Sequence, residues 1–366
     1  MKTIESDIEY CKKAILHGSL SFHAASLALP ETVRTPCLAL YAFCRLADDE
    51  VDLKQDKSAS IYDLVQRLDL VYAGTPRNHP MDRAFANMVE KFDMPRALPE
   101  ALFEGFVWDA MSKQYKTFDE LISYSARVAS SVGVMLCVIM GERRGEVLSR
   151  ACDLGVAMQL TNIARDIGED AKEGRLYVPH EWFHQEGSDP KEFLCKPDKS
   201  ESTVLFTKKL LGKAATLYHR SEAGIAYLPP KVRPAMFAAR HIYSAIGTEI
   251  RKNNYDNINY RARTNKFTKT KLLTFSAVQS LASMMLPAPA TVFAEPLQQT
   301  QFLVEAAKLQ EAHEVNWSSR FLSVLEQLKT HDRKKISATF QRSNCCAVNL
   351  NSVIEKNKIR KNKNLM

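Results

Sequence analysis

The sequence predicts an all-α fold, and three observations carry that expectation. Apolar residues recur at i, i+3 and i+4 through most of the 366 residues, the spacing that places an apolar stripe along one side of a helix. Alternating apolar and polar residues, the mark of a half-buried strand, are hard to find. Helix starts, by contrast, are well marked.

Taken in order, the elements are these. Thr35-Pro36 offers an N-cap followed by proline at the first helical position, predicting a helix from there through about Leu53. A second long helix should hold Asp119 to about Met140, a third Ser149 to about Gly168 and a fourth Val232 to Asn253. Gln185 to Ser202 bears Pro, Lys and Asp and reads as a surface loop. No internal repeat or linker divides the part before about residue 285. Beyond Pro287-Ala288-Pro289 the pattern weakens, and one further helix is expected over Lys308 to Leu328. The expected division is a helical body over residues 1–286 and a C-terminal extension over 287–366, partly helical, with a basic disordered tail.

Composition sets outer limits on function. With 45% hydrophobic and 25% charged residues, the chain is that of a soluble globular protein, and disorder is not the default. The net charge of +8 is partly concentrated in Lys356, Lys358, Arg360, Lys361 and Lys363, a solvated terminus rather than a nucleic-acid surface. Such a tail also attracts anionic lipid headgroups weakly. The eight cysteines form no CxxC pair, and Cys37, Cys44 and Cys137 lie in apolar stretches, as small core residues of a reducing cytoplasm do. Met1 to Tyr10 lacks an apolar core, which argues against a secretory signal. The longest uncharged stretch, Leu272 to Ala294, is broken by polar residues and two prolines. That makes it a poor membrane span but a candidate for lying on a membrane.

Two acidic stripes carry the chemistry. On the first helix Tyr41, Arg45, Asp48 and Asp52 fall at i, i+4, i+7 and i+11 and share one face. On the third, Gln159, Asn162, Asp166 and Asp170 fall at i, i+3, i+7 and i+11. One acidic stripe alone is most often a solvated helix face. Here the remaining faces are apolar (Leu38, Leu40, Phe43 and Leu46; Leu154, Val156, Leu160 and Ile163), so both helices read as buried all round. Carboxylates in such a place must be paired or must bind cations. Acids four residues apart can share hard divalent ions, magnesium above all, completed by water and phosphate oxygens. Asn162 adds a neutral oxygen, and Arg45 or Arg165 could meet the remaining charge of a diphosphate. A carboxylate-bridged di-iron bundle also places acids inside helices, but it needs two Glu-x-x-His elements. Only Glu181-Trp-Phe-His184 is found.

At these residues the chain resembles the squalene and phytoene synthase family, whose signature is two aspartate-rich motifs on facing helices. Here they stand as Asp48-Asp-Glu-Val-Asp52 and Asn162-Ile-Ala-Arg-Asp166-Ile-Gly-Glu-Asp170. Gly18-Ser-Leu-Ser-Phe-His-Ala-Ala25, together with Leu38-Ala-Leu-Tyr-Ala-Phe-Cys-Arg45, is similar to its bacterial phytoene-forming branch in particular. Tyr124-Ser-Ala-Arg-Val128-Ala129-Ser-Ser-Val-Gly133 matches a further family element, except that Ser130 replaces a glycine, a change that narrows either a helix contact or the prenyl channel. Gly174-Arg175-Leu-Tyr177-Val-Pro179, Tyr243, and the pair Arg263 and Lys271 also fit. The resemblance spans roughly residues 5 to 285.

It implies a single isoprenoid-synthase-type helical bundle around a central cavity, with residues 1–286 as the catalytic domain. The implied reaction is head-to-head condensation of two geranylgeranyl diphosphates to phytoene, in carotenoid biosynthesis, through a cyclopropyl diphosphate. Squalene or dehydrosqualene formation from farnesyl diphosphate is the alternative within the family. A non-catalytic scaffold of the same fold is the alternative outside enzymes. By the resemblance, Asp48, Asp52, Asn162, Asp166 and Asp170 hold Mg2+, with Mn2+ as an alternative ion. Arg45, Arg165, Arg263 and Lys271 grip diphosphate, while Tyr41, Tyr124, Gln159 and Tyr243 line the reaction centre; for the tyrosines, plain packing is the competing role. No Gly-x-Gly occurs, so a Rossmann fingerprint is absent, and the expected ending is proton loss without NADPH. The expected partners are two prenyl diphosphates, with no nucleic acid, and the place of work is the cytoplasm, peripherally on the inner face of a membrane. The motifs leave oligomeric state open.

Overall fold

A computed structural model describes residues 2–18, 25–53, 57–287 and 289–308, together with residues 324, 325 and 327. Contacts divide the chain into two units, residues 1–317 and 318–366. The helix expected over 308–328 and the basic tail lie largely outside the described residues.

The first unit is helical, with no strand among the described residues. Its elements are α1 (Lys2–Gly18), α2 (Glu31–Leu53), α3 (Lys57–Tyr72), α4 (Pro80–Phe92), α5 (Ala97–Ala110), α6 (Phe118–Ser125), α7 (Ser131–Ile139), α8 (Gly145–Lys172), α9 (His180–Gln185), α10 (Pro190–Cys195), α11 (Glu201–Ile225), α12 (Arg233–Lys252), α13 (Lys266–Met285) and α14 (Gln301–Ala307).

The long helices fall where the periodicity put them, with two corrections of boundary. The first predicted helix begins at Glu31, so Pro36 lies inside it. The carbonyl of Pro30 accepts from the amides of Val33 and Arg34 and starts the helix a turn early, at the cost of the single bond that Pro36 cannot donate. The third runs from Gly145 to Lys172, a turn longer at each end, with Val147 and Leu148 buried in the added first turn and Ala171 in the added last one. The stretch read as a loop, 185–202, contains the short α10, capped by the Asp189 side chain accepting from the Lys191 amide at 2.9 Å.

Helix α8 is the axis of the bundle. Leu148, Cys152, Val156, Ala157, Leu160 and Ala164 have no exposure, and each large apolar side chain so enclosed contributes roughly 1.5–3 kcal/mol. α11 lies along it, with Leu210 and Ala214 enclosed. α7 and α12 close further sides. Between α6 and α7 the helix widens into a π-helical turn, Ala126–Ser130, a form that often marks functional sites. This turn packs directly on α8 at Gly155. A β-carbon there would stand 2.6 Å from the Ser130 α-carbon, so only glycine admits the approach. Ser130 is fully buried and its hydroxyl donates to the Cys152 carbonyl at 2.8 Å. The serine that departs from the family pattern therefore sits in a helix contact.

The stretch Phe118–Ile139 is long and apolar enough to cross a bilayer by composition, yet two thirds of it is buried in the protein. It is a core helix. Residues 290–307 fold back on the same body: α14 packs on α5, α7 and α8, with Leu303, Val304 and Ala307 buried.

Candidate active site

One face of α8 organises the site. Ala151, Leu154, Met158, Gln159 and Asn162 line a cavity of about 250 Å³, and Asp166 and Asp170 continue the same face toward the C-terminus of the helix. The opposite walls come from Val128 and Ala129 of the π turn, Leu136 of α7, Met236 and Tyr243 of α12, and Leu29, Val33 and Cys37 around the start of α2. The lining is apolar except at Ser26 and near Gln159, Asn162 and Tyr243. The Asn162 side-chain oxygen is buried there with no hydrogen-bond partner.

Asp166 is gripped by two arginines. Arg165 donates from Nε and Nη2 to its two oxygens at 2.8 and 2.5 Å, and Arg261 does the same at 2.9 and 3.3 Å. Burial pushes the Asp166 carboxyl up, but the two guanidinium groups more than offset it and leave it below the usual range. Asp170, one turn further, has only the partial offset of Arg175. Burial and the charge of Asp166 push it up to about 8.

The reason Arg261 reaches this face is local. The loop after α12 is held against α8 at Gly168, whose amide donates to the Asn257 carbonyl at 3.2 Å, while the Asn257 side chain donates to the Ala164 carbonyl at 2.6 Å. A β-carbon on Gly168 would lie 2.7 Å from that Asn257 carbonyl oxygen. Arg263, two residues on, is exposed, as is Lys271 on α13. The structure thus brings Arg261, which sequence reasoning passed over, to the acidic stripe, and leaves Arg263 and Lys271 at the surface.

On α2, Arg45 is exposed and pairs with Asp49 at 2.6 Å. Tyr41 is half-buried. Asp48 and Asp52 stand on the last turns of this helix, but their side chains lie outside the described residues.

Tyr124 is buried and does not line the cavity. Its hydroxyl donates to Asp109 at 2.8 Å, and the Tyr177 hydroxyl donates to the other oxygen of the same carboxylate at 2.8 Å. The rings of Tyr115, Tyr124 and Tyr177 form one cluster, with centroids 5.2–6.1 Å apart. Burial, then the charge of Asp109, pushes the Tyr124 and Tyr177 hydroxyls far above the usual range, so they remain donors. Sequence reasoning missed Asp109. The signal was present: it is an acid near the end of α5, a helix buried on nearly every side, which is the criterion that singled out α8. The Glu181 and His184 pair of the di-iron reading has a structural role instead. Glu181 accepts from the Phe118 amide at 2.8 Å at the start of α6, and His184 is exposed.

The sequence and the fold have counterparts among known proteins. Residues 15–268 match the family model for squalene/phytoene synthase. A phytoene synthase of Rhodobacter capsulatus is 50% identical over 332 residues, covering 90% of this chain and 98% of that one. One of Cereibacter sphaeroides is 49% identical, covering 90% and 95%. Among solved structures, a dehydrosqualene synthase in complex with a ligand superposes with a TM-score of 0.71 at 31% identity, covering 77% of this chain and 99% of that chain. The match to the family model over residues 15–268, with relatives half identical over most of the length, places the chain in the squalene/phytoene synthase family.

Proposed function

We propose that this protein condenses two geranylgeranyl diphosphates head to head to phytoene, a step of carotenoid synthesis, through a cyclopropyl diphosphate. One observation carries the reading: on a single face of α8 an apolar cavity wall passes into Gln159 and Asn162 and then into Asp166 and Asp170. A prenyl diphosphate has the same division, an oily chain joined to a concentrated negative charge. The choice of substrate and product is supported by the names of the relatives at 50% and 49% identity.

The donor set suits Mg2+, with Mn2+ as the alternative. Asn162 has a buried oxygen without a partner, and the Asp170 carboxyl, raised by burial and by Asp166, is relieved by a cation. Asp48, Asp52, Asn162, Asp166 and Asp170 would hold the ions, which supply positive charge to the departing diphosphate oxygens. The chain's own residues do the rest. Arg165 and Arg261, which grip Asp166 in this structure, carry planar forks suited to two-point contact with diphosphate and would be free for it were Asp166 to hold an ion. Arg45, Arg263 and Lys271 are further candidates for that grip. The apolar walls exclude water, so the allylic cation meets the second prenyl chain and is not hydrolysed. Gln159 and Tyr243, on the cavity wall, with Tyr41, are the proposed groups around the reacting carbons, whereas Tyr124, bonded to Asp109 away from the cavity, is a packing residue. The departing diphosphate takes the final proton, and NADPH has no part.

The test is purified protein with Mg2+ and either geranylgeranyl or farnesyl diphosphate, with and without NADPH, products identified by mass. The forty-carbon hydrocarbon from the longer substrate, indifferent to NADPH, is expected. NADPH-dependent squalene from farnesyl diphosphate, with nothing from the longer substrate, places the protein on the other branch. No product from either substrate makes it a scaffold.

The work is proposed to take place at the cytoplasmic side of a membrane, on which the outer face of α13 docks. Phe267, Phe275, Val278, Leu281 and Met285 are 53–86% exposed and fall on one helical stripe, with Lys266 exposed beside it. An exposed apolar stripe with a basic flank fits an anionic lipid surface.

A further inference from the structure

The cavity ends against a partition. Beyond its deep wall lies a second void of about 20 Å³, room for about one water molecule. Ala151, Leu154 and Met236 line both spaces. The void's remaining wall on α8 is Val147 and Arg150, the turn that precedes Ala151 and Leu154. The two spaces therefore adjoin, with those three side chains between them.

Floor and partition differ in kind. Below the void the Arg150 side chain has no exposure. Its Nε lies 3.1 Å from Asp153, which also accepts from Arg220 at 3.0 Å, and its Nη1 donates to the Thr291 carbonyl at 3.0 Å. A β-carbon on Gly224 of α11 would lie 2.4 Å from the Arg150 β-carbon. This floor is clamped between helices and held by charge, and breaking such a buried pair leaves an uncompensated ion. Met236 is the opposite. It is half-buried on α12, unbranched and adaptable, and carries no charge.

We propose that Met236, with Leu154 facing the same void, sets the longest prenyl chain the enzyme accepts, and that the Arg150–Asp153 pair is the fixed floor below it. The inference rests on the proposed prenyl diphosphate chemistry. Shortening Met236 joins the void to the channel and admits further carbons at the chain's far end. Enlarging Ala151, on the same partition, moves the effective floor upward.

The experiment compares kcat/KM for farnesyl (fifteen-carbon), geranylgeranyl (twenty-carbon) and geranylfarnesyl (twenty-five-carbon) diphosphates in wild type, Met236→Ala, Leu154→Ala and Ala151→Leu. Met236→Ala and Leu154→Ala should each raise the preference for the twenty-five- over the twenty-carbon substrate by ~10-fold or more, the scale on which hydrophobic pockets discriminate chain length. Ala151→Leu should shift preference toward the fifteen-carbon substrate by a similar factor. Should a variant lose turnover, equilibrium binding of the three chain lengths as uncleavable thiodiphosphates is read in its place, with the same shifts expected. Unchanged ratios in Met236→Ala and Leu154→Ala, with an active wild type, overturn the inference alone. A wild type that consumes none of the three overturns the underlying reading and the inference with it.

Discussion

Asp166 and Asp170 stand one helical turn apart in opposite electrostatic conditions. Two guanidinium groups hold the first ionised, whereas burial and the charge of the first push the second up to about 8. In metal-free protein at pH 7 Asp170 therefore keeps its proton, and a cation that binds there must displace it. Mg2+ binding is expected to release about one proton per chain near pH 6.5 and progressively less above pH 8, with affinity weakening as pH falls below that value. Calorimetry in two buffers of different ionisation heat measures this, and Asp170→Asn should abolish the release; equal proton release in wild type and variant refutes the assignment. For the reaction, Asp166→Asn and Asp48→Asn should each lower turnover by ~100-fold or more, the scale of losing transition-state charge stabilisation, with circular dichroism unchanged. Near-normal rates in either variant, or full activity in EDTA, would contradict a metal site on these stripes.

At the scale of elements, close approaches between helices and loops set where the charged groups stand. The loop after α12 brings Arg261 to Asp166 only because Gly168 lets the Asn257 carbonyl approach α8 at hydrogen-bond distance. Gly168→Ala should cost about 1–3 kcal/mol of stability through overpacking. It should also cost ~10-fold or more in kcat/KM, since small displacements of positioning groups are expensive in rate. Denaturant titration and steady-state kinetics separate the two effects. An Arg261→Ala variant should reproduce the kinetic loss while its stability falls less. If Gly168→Ala matches wild type in both respects, the loop contact is not what positions Arg261.

The molecule as a whole is closed by a segment that returns to its core. Thr291 and Glu295 offer carbonyls to Arg150 and Arg220 at 3.0 and 2.6 Å, and Arg143 reaches the Ala307 carbonyl at 3.2 Å. A chain ended after residue 286 loses the burial of Leu303 and Val304, about 3–6 kcal/mol, and leaves these three arginine contacts unmet. It should melt well below the full-length protein by calorimetry; an equal melting temperature would show that the body is self-sufficient over 1–286. The outward stripe of α13 makes a second prediction at this scale. Sedimentation with anionic vesicles should fall as salt rises, because exposed charges are screened beyond about 8 Å at physiological ionic strength. Phe275→Ser with Leu281→Ser should weaken it at every salt concentration. Protein that remains in the supernatant with anionic vesicles at low salt does not dock this way.

Much of this was legible in the residues alone. A helix apolar on every side but carrying Gln159, Asn162, Asp166 and Asp170 at one angular position can be only a buried helix with a polar job, because periodicity fixes which side chains share a face and burial forbids idle carboxylates. That reasoning locates α8, its stripe and the all-α class. Tertiary structure decided what depends on residues distant in the chain. Arg261, and not Arg263, meets Asp166 because of a loop contact at Gly168 on another element. Asp109 joins Tyr124 and Tyr177 because three separate segments converge on one carboxylate. Met236 of α12 meets Ala151 and Leu154 of α8 between the cavity and the smaller void. Helical spacing is a local property written in a few consecutive residues, whereas these meetings depend on how helices cross and how closely their backbones approach, and no short stretch of sequence encodes that.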